Sequence, residues 1–282
     1  MGIKKYIKRL FRYVLYEHKQ PIVYAKIVQQ ADSMIFKDKV VLVTGGGRGL
    51  GFYISKRLIK NGAIVIITGR NEQQLINSQK KLGENCKYRV MDVTNLNECK
   101  KILKEIFNEY GKLDVLINNA GISLHEKNIL EVTEDNYTRQ FDTNLKAPYF
   151  LCQYYIEQYR EYKQKEGNII FISSERGSQC DDIPYGLTKI SINSLTQALA
   201  RRFYIEGIRI NAVAPGVTAS DMTNIKKDSD LSNDRTAGRY FVPEEVAEVV
   251  NFLISDYSKC ISGEIINCDG GDYSNSYYHL IK

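Results

Sequence analysis

Histidine is nearly missing from this chain: His18, His125 and His279 are the whole supply. None of the six cysteines, Cys86, Cys99, Cys152, Cys180, Cys260 and Cys268, lies in a Cys-x-x-Cys pair. No metal site is expected, because zinc centres gather such ligands at short spacings. The thiols read as free cysteines in a reducing, cytoplasmic compartment. A run of about 18 apolar residues is also absent, so no membrane-spanning helix is expected. The N-terminus has neither the continuous apolar core nor the small-residue cleavage site of a secretory signal. With five prolines and no low-complexity tract, nothing marks a linker. What is there, 43% hydrophobic and 26% charged over 282 residues, suits one large α/β domain.

Positive charge is concentrated at one end. Residues 1–37 hold eight bases and two acids, so their net +6 equals that of the whole chain. The remainder is neutral and lacks stacking motifs, so no nucleic-acid partner is expected. Within residues 1–16, Ile3, Tyr6, Ile7, Leu10, Phe11 and Val14 recur at helical spacing, with Lys4, Lys5, Lys8, Arg9 and Arg12 opposite. Such a helix either lies on an anionic membrane surface as a peripheral contact or packs on its own domain or a neighbouring subunit. The chain therefore divides into a basic N-terminal extension, 1–37, and a domain over 38–282.

From residue 39 onward strand-like and helix-like segments alternate. Strands are predicted at 40–44, 63–68, 88–92, 115–118, 168–173, 209–214 and 264–267, several of them β-branched apolar runs suited to a sheet buried on both faces. Helices are predicted at 52–60, 72–82, 95–110, 134–162, 184–206 and 243–254. Alternating βα units imply a Rossmann-type doubly wound parallel sheet, with ligand outside the carboxyl ends of the strands.

Between the first strand and first helix stands Thr44-Gly45-Gly46-Gly47-Arg48-Gly49-Leu50-Gly51. A strand, a glycine turn and a helix in that order make a dinucleotide cradle: glycine lets backbone approach a pyrophosphate, and the helix N-terminus offers free N–H groups. An acid ending the second strand would bind a ribose 2′-OH. Here no acid occurs between Ala63 and Asn71; Gly69 holds that place and Arg70 follows. Arg70, joined by Arg48, suits the 2′-phosphate of NADP rather than NAD, though a solvated loop arginine reads the same way. Asp92 and Val93 end the third strand, where adenine can lie. Asn118-Asn119-Ala120-Gly121 ends the fourth; its small residues permit close backbone approach, and an ordinary turn is the other reading.

Three Tyr-x-x-x-Lys spacings occur, Tyr159/Lys163, Tyr185/Lys189 and Tyr278/Lys282. On a helix this spacing puts both side chains on one face. The first reads as solvated and the last stands at the chain end. Only Tyr185/Lys189 follows a strand ending in serines, Ile172-Ser173-Ser174. An ammonium beside a phenol favours the phenolate, lowering a pKa of about 10 toward neutrality and making the phenol a usable proton donor.

With these motifs in order, and with Phe141-Asp142-Thr143-Asn144 and Pro215-Gly216 completing the series, the chain resembles the short-chain dehydrogenase/reductase family, in its compact, 3-oxoacyl-reductase-like branch, over residues 39–273. The resemblance implies a catalytic tetrad of Asn144, a serine, Tyr185 and Lys189. Counting favours Ser174, eleven positions before Tyr185; Ser173 stays open. It also implies cofactor contacts at Gly45, Gly47, Arg48, Gly49, Leu50, Gly51, Arg70, Asp92, Val93, Asn118, Ala120, Gly121, Tyr185, Lys189, Pro215, Gly216, Val217 and Ser220. Lys189 would hold the nicotinamide ribose, the serine hydroxyl would steady an oxyanion, and Asn144 would support a water relay. The activity implied is hydride transfer between NADP(H), or NAD, and a carbonyl or secondary alcohol of a small molecule, by a homodimer or homotetramer. A non-catalytic cofactor sensor would need the glycines but not Tyr185 with Lys189. The segment 220–242, expected as a substrate lid, is rich in Asp, Asn, Lys and Arg. That favours a polar substrate, unless those side chains only face water.

Overall fold

The computed structural model describes residues 34–272. The extension assigned to 1–37, with the basic helix of 1–16, lies outside the described residues except for 34–37, as does the Tyr278/Lys282 pair. Seven parallel strands form one sheet in the order β3-β2-β1-β4-β5-β6-β7. They are β1 Val40–Thr44, β2 Ile64–Gly69, β3 Cys86–Val90, β4 Val115–Asn118, β5 Gly167–Ile172, β6 Ile208–Pro215 and β7 Ile265–Cys268. The helices are α1 Gly49–Lys60, α2 Glu72–Leu82, α3 Leu96–Tyr110, α4 Glu134–Phe141, α5 Ala147–Glu161, α6 Pro184–Phe203 and α7 Pro243–Ile254.

Alternation along the strands builds two cores. Val40 and Leu42 of β1, with Leu116, Ile169 and Phe171, pack on the face that carries α3, α5 and α6. Val41 and Val43, with Val115, Ile117 and Ile170, pack on the face that carries α1 and α7. Side chains of successive strand residues point to opposite faces, so a run such as Val-Val-Leu-Val must be covered on both. The chain winds from β1 out to β3, then returns to place β4 on the other side of β1. The carboxyl ends of β1 and β4 therefore form the switch point where such sheets bind ligand.

Most boundaries agree with the sequence reading to within a residue; the first helix begins at Gly49 rather than 52, and three further differences have a visible cause. The third strand runs Cys86–Val90 rather than 88–92, because the chain leaves the sheet at Asp92, whose carboxylate accepts from Thr94 N and Oγ1 at 2.9 and 2.8 Å. The single helix expected over 134–162 is two helices joined by a π-helical turn, Asp142–Lys146. Pro148 has no N–H and would clash with the carbonyl four residues back, and the wider turn accommodates it. The helix expected over 184–206 gives way at Phe203 to a 3-10 turn, Tyr204–Glu206, closed by Gly207 at φ +87°.

Candidate active site

The glycine turn is one that only glycine can make at its tightest points. Gly45 has φ +66°, and a Cβ on Gly51 would lie 2.5 Å from Asn119 Nδ2 and 2.6 Å from Gly45 O. Arg48 stands at the N-cap of α1 without a side-chain cap, and no acid occupies the first turn. The N-terminal N–H groups are left for a ligand, beside the positive end of the helix dipole. This cradle fits a dinucleotide pyrophosphate.

Two residues outside the expected set fasten it. Thr44 Oγ1 accepts from the backbone N–H of Asn119 and Ala120, each at 3.0 Å. Asn119 Nδ2 donates to Thr44 O at 2.8 Å. The Thr before the glycines and the second Asn of the Asn-Asn pair were the available signals. Asn118 itself turns into the core, its Nδ2 3.5 Å from Cys152 Sγ. Gly69 has room for a side chain, since a Cβ there meets nothing nearer than Leu75 at 3.5 Å. The missing acid is thus a matter of charge, not packing. Arg70 is exposed and has no ion-pair partner among the described residues. Arg48, its side chain 64% exposed, reaches Asp221 of the 220–242 segment at 4.0 Å. Asp92 is half-buried and Val93 buried at the end of β3.

Tyr185 and Lys189 lie one turn apart at the start of α6, the Lys189 Nζ 5.6 Å from the phenol ring centre. Lys189 is buried and donates to Ile172 O at 2.8 Å. Burial lowers its pKa from 10.5 to about 8. The expected lowering of the Tyr185 pKa is not found. Burial raises it, and this outweighs the Ser174 hydrogen bond and the Arg176 charge that favour the phenolate. The serines separate clearly. Ser173 Oγ donates to Asn193 Oδ1 at 2.6 Å, a structural tie to α6, whereas the Ser174 hydroxyl accepts from Arg176 N at 3.3 Å and is among the groups that favour the Tyr185 phenolate.

Asn144 lies in the π-helical turn. Its Oδ1 accepts from Ile122 N and its Nδ2 donates to Ile122 O, both at 2.8 Å. A Cβ on Gly121 would stand 3.3 Å from Asn144 Oδ1 and 3.8 Å from Lys189 Nζ. The β4 loop, the π turn and α6 therefore converge on one point. Gly216 closes the far side against Asp269, at 2.9 Å from its own would-be Cβ, with Pro215 and Val217 half-buried beside it. Ser220 Oγ lies 3.2 Å from Thr223 Oγ1.

Tyr159, expected to be solvated, is buried, and its hydroxyl donates to Glu206 O at 2.6 Å. It ties α5 to the 204–206 turn. Part of the polarity of the 220–242 segment serves folding. Lys227 pairs with Glu244 at 2.7 Å, and Arg239 with Glu245 at 2.6 Å. A cleft of about 400 Å³ is lined by Glu175, Arg176, Gln179, Cys180 and Asp181, from the loop between Ser174 and α6, and by Asp234, Arg235 and Asp272. Among the described residues no group of three His, Cys, Asp or Glu is placed to hold a metal, and no helix is long and apolar enough to cross a membrane.

Residues 39–230 match the family model described as short chain dehydrogenase. The chain is 33% identical over 245 residues to a 3-oxoacyl-[acyl-carrier-protein] reductase of Salmonella typhimurium, covering 85% of this chain and 99% of that one. It is 31% identical over 248 residues to a 3alpha-hydroxysteroid dehydrogenase of Mediterraneibacter gnavus, covering 84% and 98%. A crystal structure of the Brucella melitensis 3-ketoacyl-(acyl-carrier-protein) reductase complexed with NADH superposes with a TM-score of 0.78 at 26% identity, over 84% of this chain and 99% of that one. Two substrate classes at nearly equal identity mean that overall likeness does not choose between them.

Proposed function

The chain belongs to the short-chain dehydrogenase family, and on that premise we propose that it moves a hydride between NADP(H) and a carbonyl or secondary alcohol of a polar small molecule. The observation that carries this reading is the pairing of Tyr185 with Lys189, whose Nζ lies beside Gly121 on the loop that Asn119 fastens to the glycine turn. The nicotinamide, when bound, supplies or accepts the hydride. The glycine turn from Gly45 to Gly51 would hold its pyrophosphate, Asp92 and Val93 the adenine side, and Pro215, Gly216, Val217 and Ser220 the ring side.

Tyr185 donates a proton from its hydroxyl to the carbonyl oxygen in reduction and takes one back in oxidation. Its raised pKa keeps it protonated, as a donor must be, at neutral pH. Ser174 holds the same oxygen from its hydroxyl and stabilises charge that develops there. Lys189, still mostly an ammonium below pH 8, places positive charge beside the phenol as it becomes phenolate. Asn144 acts as a positioning residue: both of its amide atoms are taken by Ile122, so it fixes the backbone beside Lys189. Changing Tyr185 to Phe should lower turnover by about 10²–10⁴-fold while NADPH binding, read by fluorescence, is kept. Undiminished turnover would remove the proton-donor role.

Arg70 favours NADP, since the place of a ribose-binding acid is empty of charge and an unpaired guanidinium follows it. NAD is the second reading, because the similar Brucella enzyme was solved with NADH. A non-catalytic sensor is disfavoured: it has no use for a lysine whose charge is held in a buried site. Leu130, Tyr137 and Tyr149 are exposed along the 129–149 segment, apolar surface of the kind that a homodimer or homotetramer covers. A cytoplasmic location accords with six unpaired cysteines, three of them buried.

A further inference from the structure

The carboxyl ends of β5, β6 and β7 lie side by side, and one guanidinium joins the segments that leave them. Arg235, from the 220–242 segment that follows β6, donates from Nη1 to Glu175 Oε1 at 2.7 Å and to Asp272 Oδ2 at 2.8 Å. Glu175 directly follows Ser174 at the end of β5, and Asp272 lies just beyond β7. Thr236 reinforces the second contact, its N and Oγ1 donating to Asp272 Oδ1 at 3.1 and 2.8 Å. Glu175 is 7% exposed, and its buried Oε2 turns inward to the turn after β6, where a Cβ on Gly216 would stand 3.1 Å from it. The Glu175 carboxylate is thus seated between Arg235 on one side and Gly216 on the other.

Carboxyls outnumber the cation at this junction. Glu175 faces Arg235 from the 220–242 segment, Asp269 and Asp272 from the turn after β7, and Tyr185 from α6. Burial raises its pKa, Arg235 pulls it down, and the charges of Asp272 and Asp269 raise it further. With the guanidinium gone, an ionised Glu175 is a buried charge among acids, and it must take a proton or leave its seat. Leaving the seat drags the adjoining Ser174 with it. A reacting group misplaced by about 1 Å loses rate by up to about 100-fold.

We infer that Arg235 is a positioning residue: by holding Glu175 against the Gly216 turn it fixes the neighbouring Ser174, and it ties the placement of that serine to the placement of the 220–242 segment. This rests on the reaction proposed above, in which Ser174 holds the substrate oxygen and Gly216 flanks the nicotinamide. Both carboxylates meet the same nitrogen of Arg235. A lysine, a point charge with three donors, can therefore stand in for it, whereas an uncharged side chain of similar length cannot.

The test uses the full chain loaded with NADPH, with the activated diketone 2,3-butanedione as the carbonyl probe. Arg235→Met should lower kcat by about tenfold or more, with the NADPH Kd held within about threefold. Arg235→Lys should recover most of that loss. Relative to wild type, the deficit of Arg235→Met should deepen from pH 5.5 to pH 8.5, because a protonated Glu175 tolerates the missing cation and an ionised one does not. Adding Glu175→Gln to Arg235→Met should restore part of kcat and flatten that pH dependence, since no charge is left stranded. Hydrogen exchange reads the same coupling without turnover: in Arg235→Met, peptides over 174–182 and over 229–241 should both exchange faster than in wild type. If Arg235→Met does not fold, the double variant should fold and turn over, and its failure to do so would count against the inference. An unchanged kcat in Arg235→Met, an equal loss in Arg235→Lys, a deficit indifferent to both pH and Glu175→Gln, or faster exchange in one of the two segments alone would each overturn it. Wild-type protein that binds no NADPH or reduces no diketone would overturn the proposed reaction itself, and this inference with it.

Discussion

Lys189 is a charged group in a dry place, hydrogen-bonded among the described residues to one backbone carbonyl and facing the Tyr185 ring. Its native pKa of about 8 lies below the ordinary 10.5, so between those values the unfolded chain binds more protons than the native one. Stability from this residue therefore rises with pH across that window, by about 3 kcal/mol in full. Urea unfolding at pH 7.5 and 9.5 should show the wild type gaining on a Lys189→Met variant; equal pH slopes would mean that the ammonium is not desolvated. Asn144 is legible at this scale only as a member of a motif. That both of its amide atoms grip Ile122 follows from the π turn, which no local pattern announces. Asn144→Ala leaves a buried N–H and C=O unpaired, and should lower stability by about 2–4 kcal/mol in the same unfolding assay.

The start of α6 is built around a side chain from outside it. Asp181, its side chain 2% exposed, pairs with Arg176 and accepts from Ile183 N at 3.2 Å. Its carboxylate fills the space where a side chain at position 186 would go: a Cβ there would stand 1.8 Å from Asp181 Oδ2. Gly186→Ala should therefore cost about 1–3 kcal/mol and displace the neighbouring Tyr185, with activity falling alongside the melting temperature. Asp181→Ala added to Gly186→Ala should recover part of both, because the obstacle is gone; a simple sum of the two losses would exclude this packing account. Helices with local signals were legible as elements. α2 has Asn71 as its cap and α7 has Pro243 at its first position, and both run over the predicted residues. The break between α4 and α5 was not, since Pro148 is compatible with a helix start or with a bend and only packing decides.

The molecule as a whole is a parallel sheet that brings every carboxyl end to one rim, and cofactor choice is made on that rim. NADP+ should raise the melting temperature more than NAD+ at equal concentration, since binding stabilises in proportion to the logarithm of ligand over Kd. Arg70→Asp should weaken NADP+ binding by about 10–100-fold and leave NAD+ binding equal or stronger; unchanged relative affinities would remove Arg70 from the 2′-phosphate site. The order of βα units, the glycine cradle and the Tyr185/Lys189 spacing were written in the sequence, because hydrophobic period, turn chemistry and helical pitch act over a few residues. Only the tertiary structure decided that Ser173 is tied to Asn193, that Thr44 and Asn119 lock the switch point, and that Glu175 meets Arg235 from 60 positions away. Those contacts join loops from different strands, and their partners are set by which strands lie side by side, which no single stretch of chain encodes.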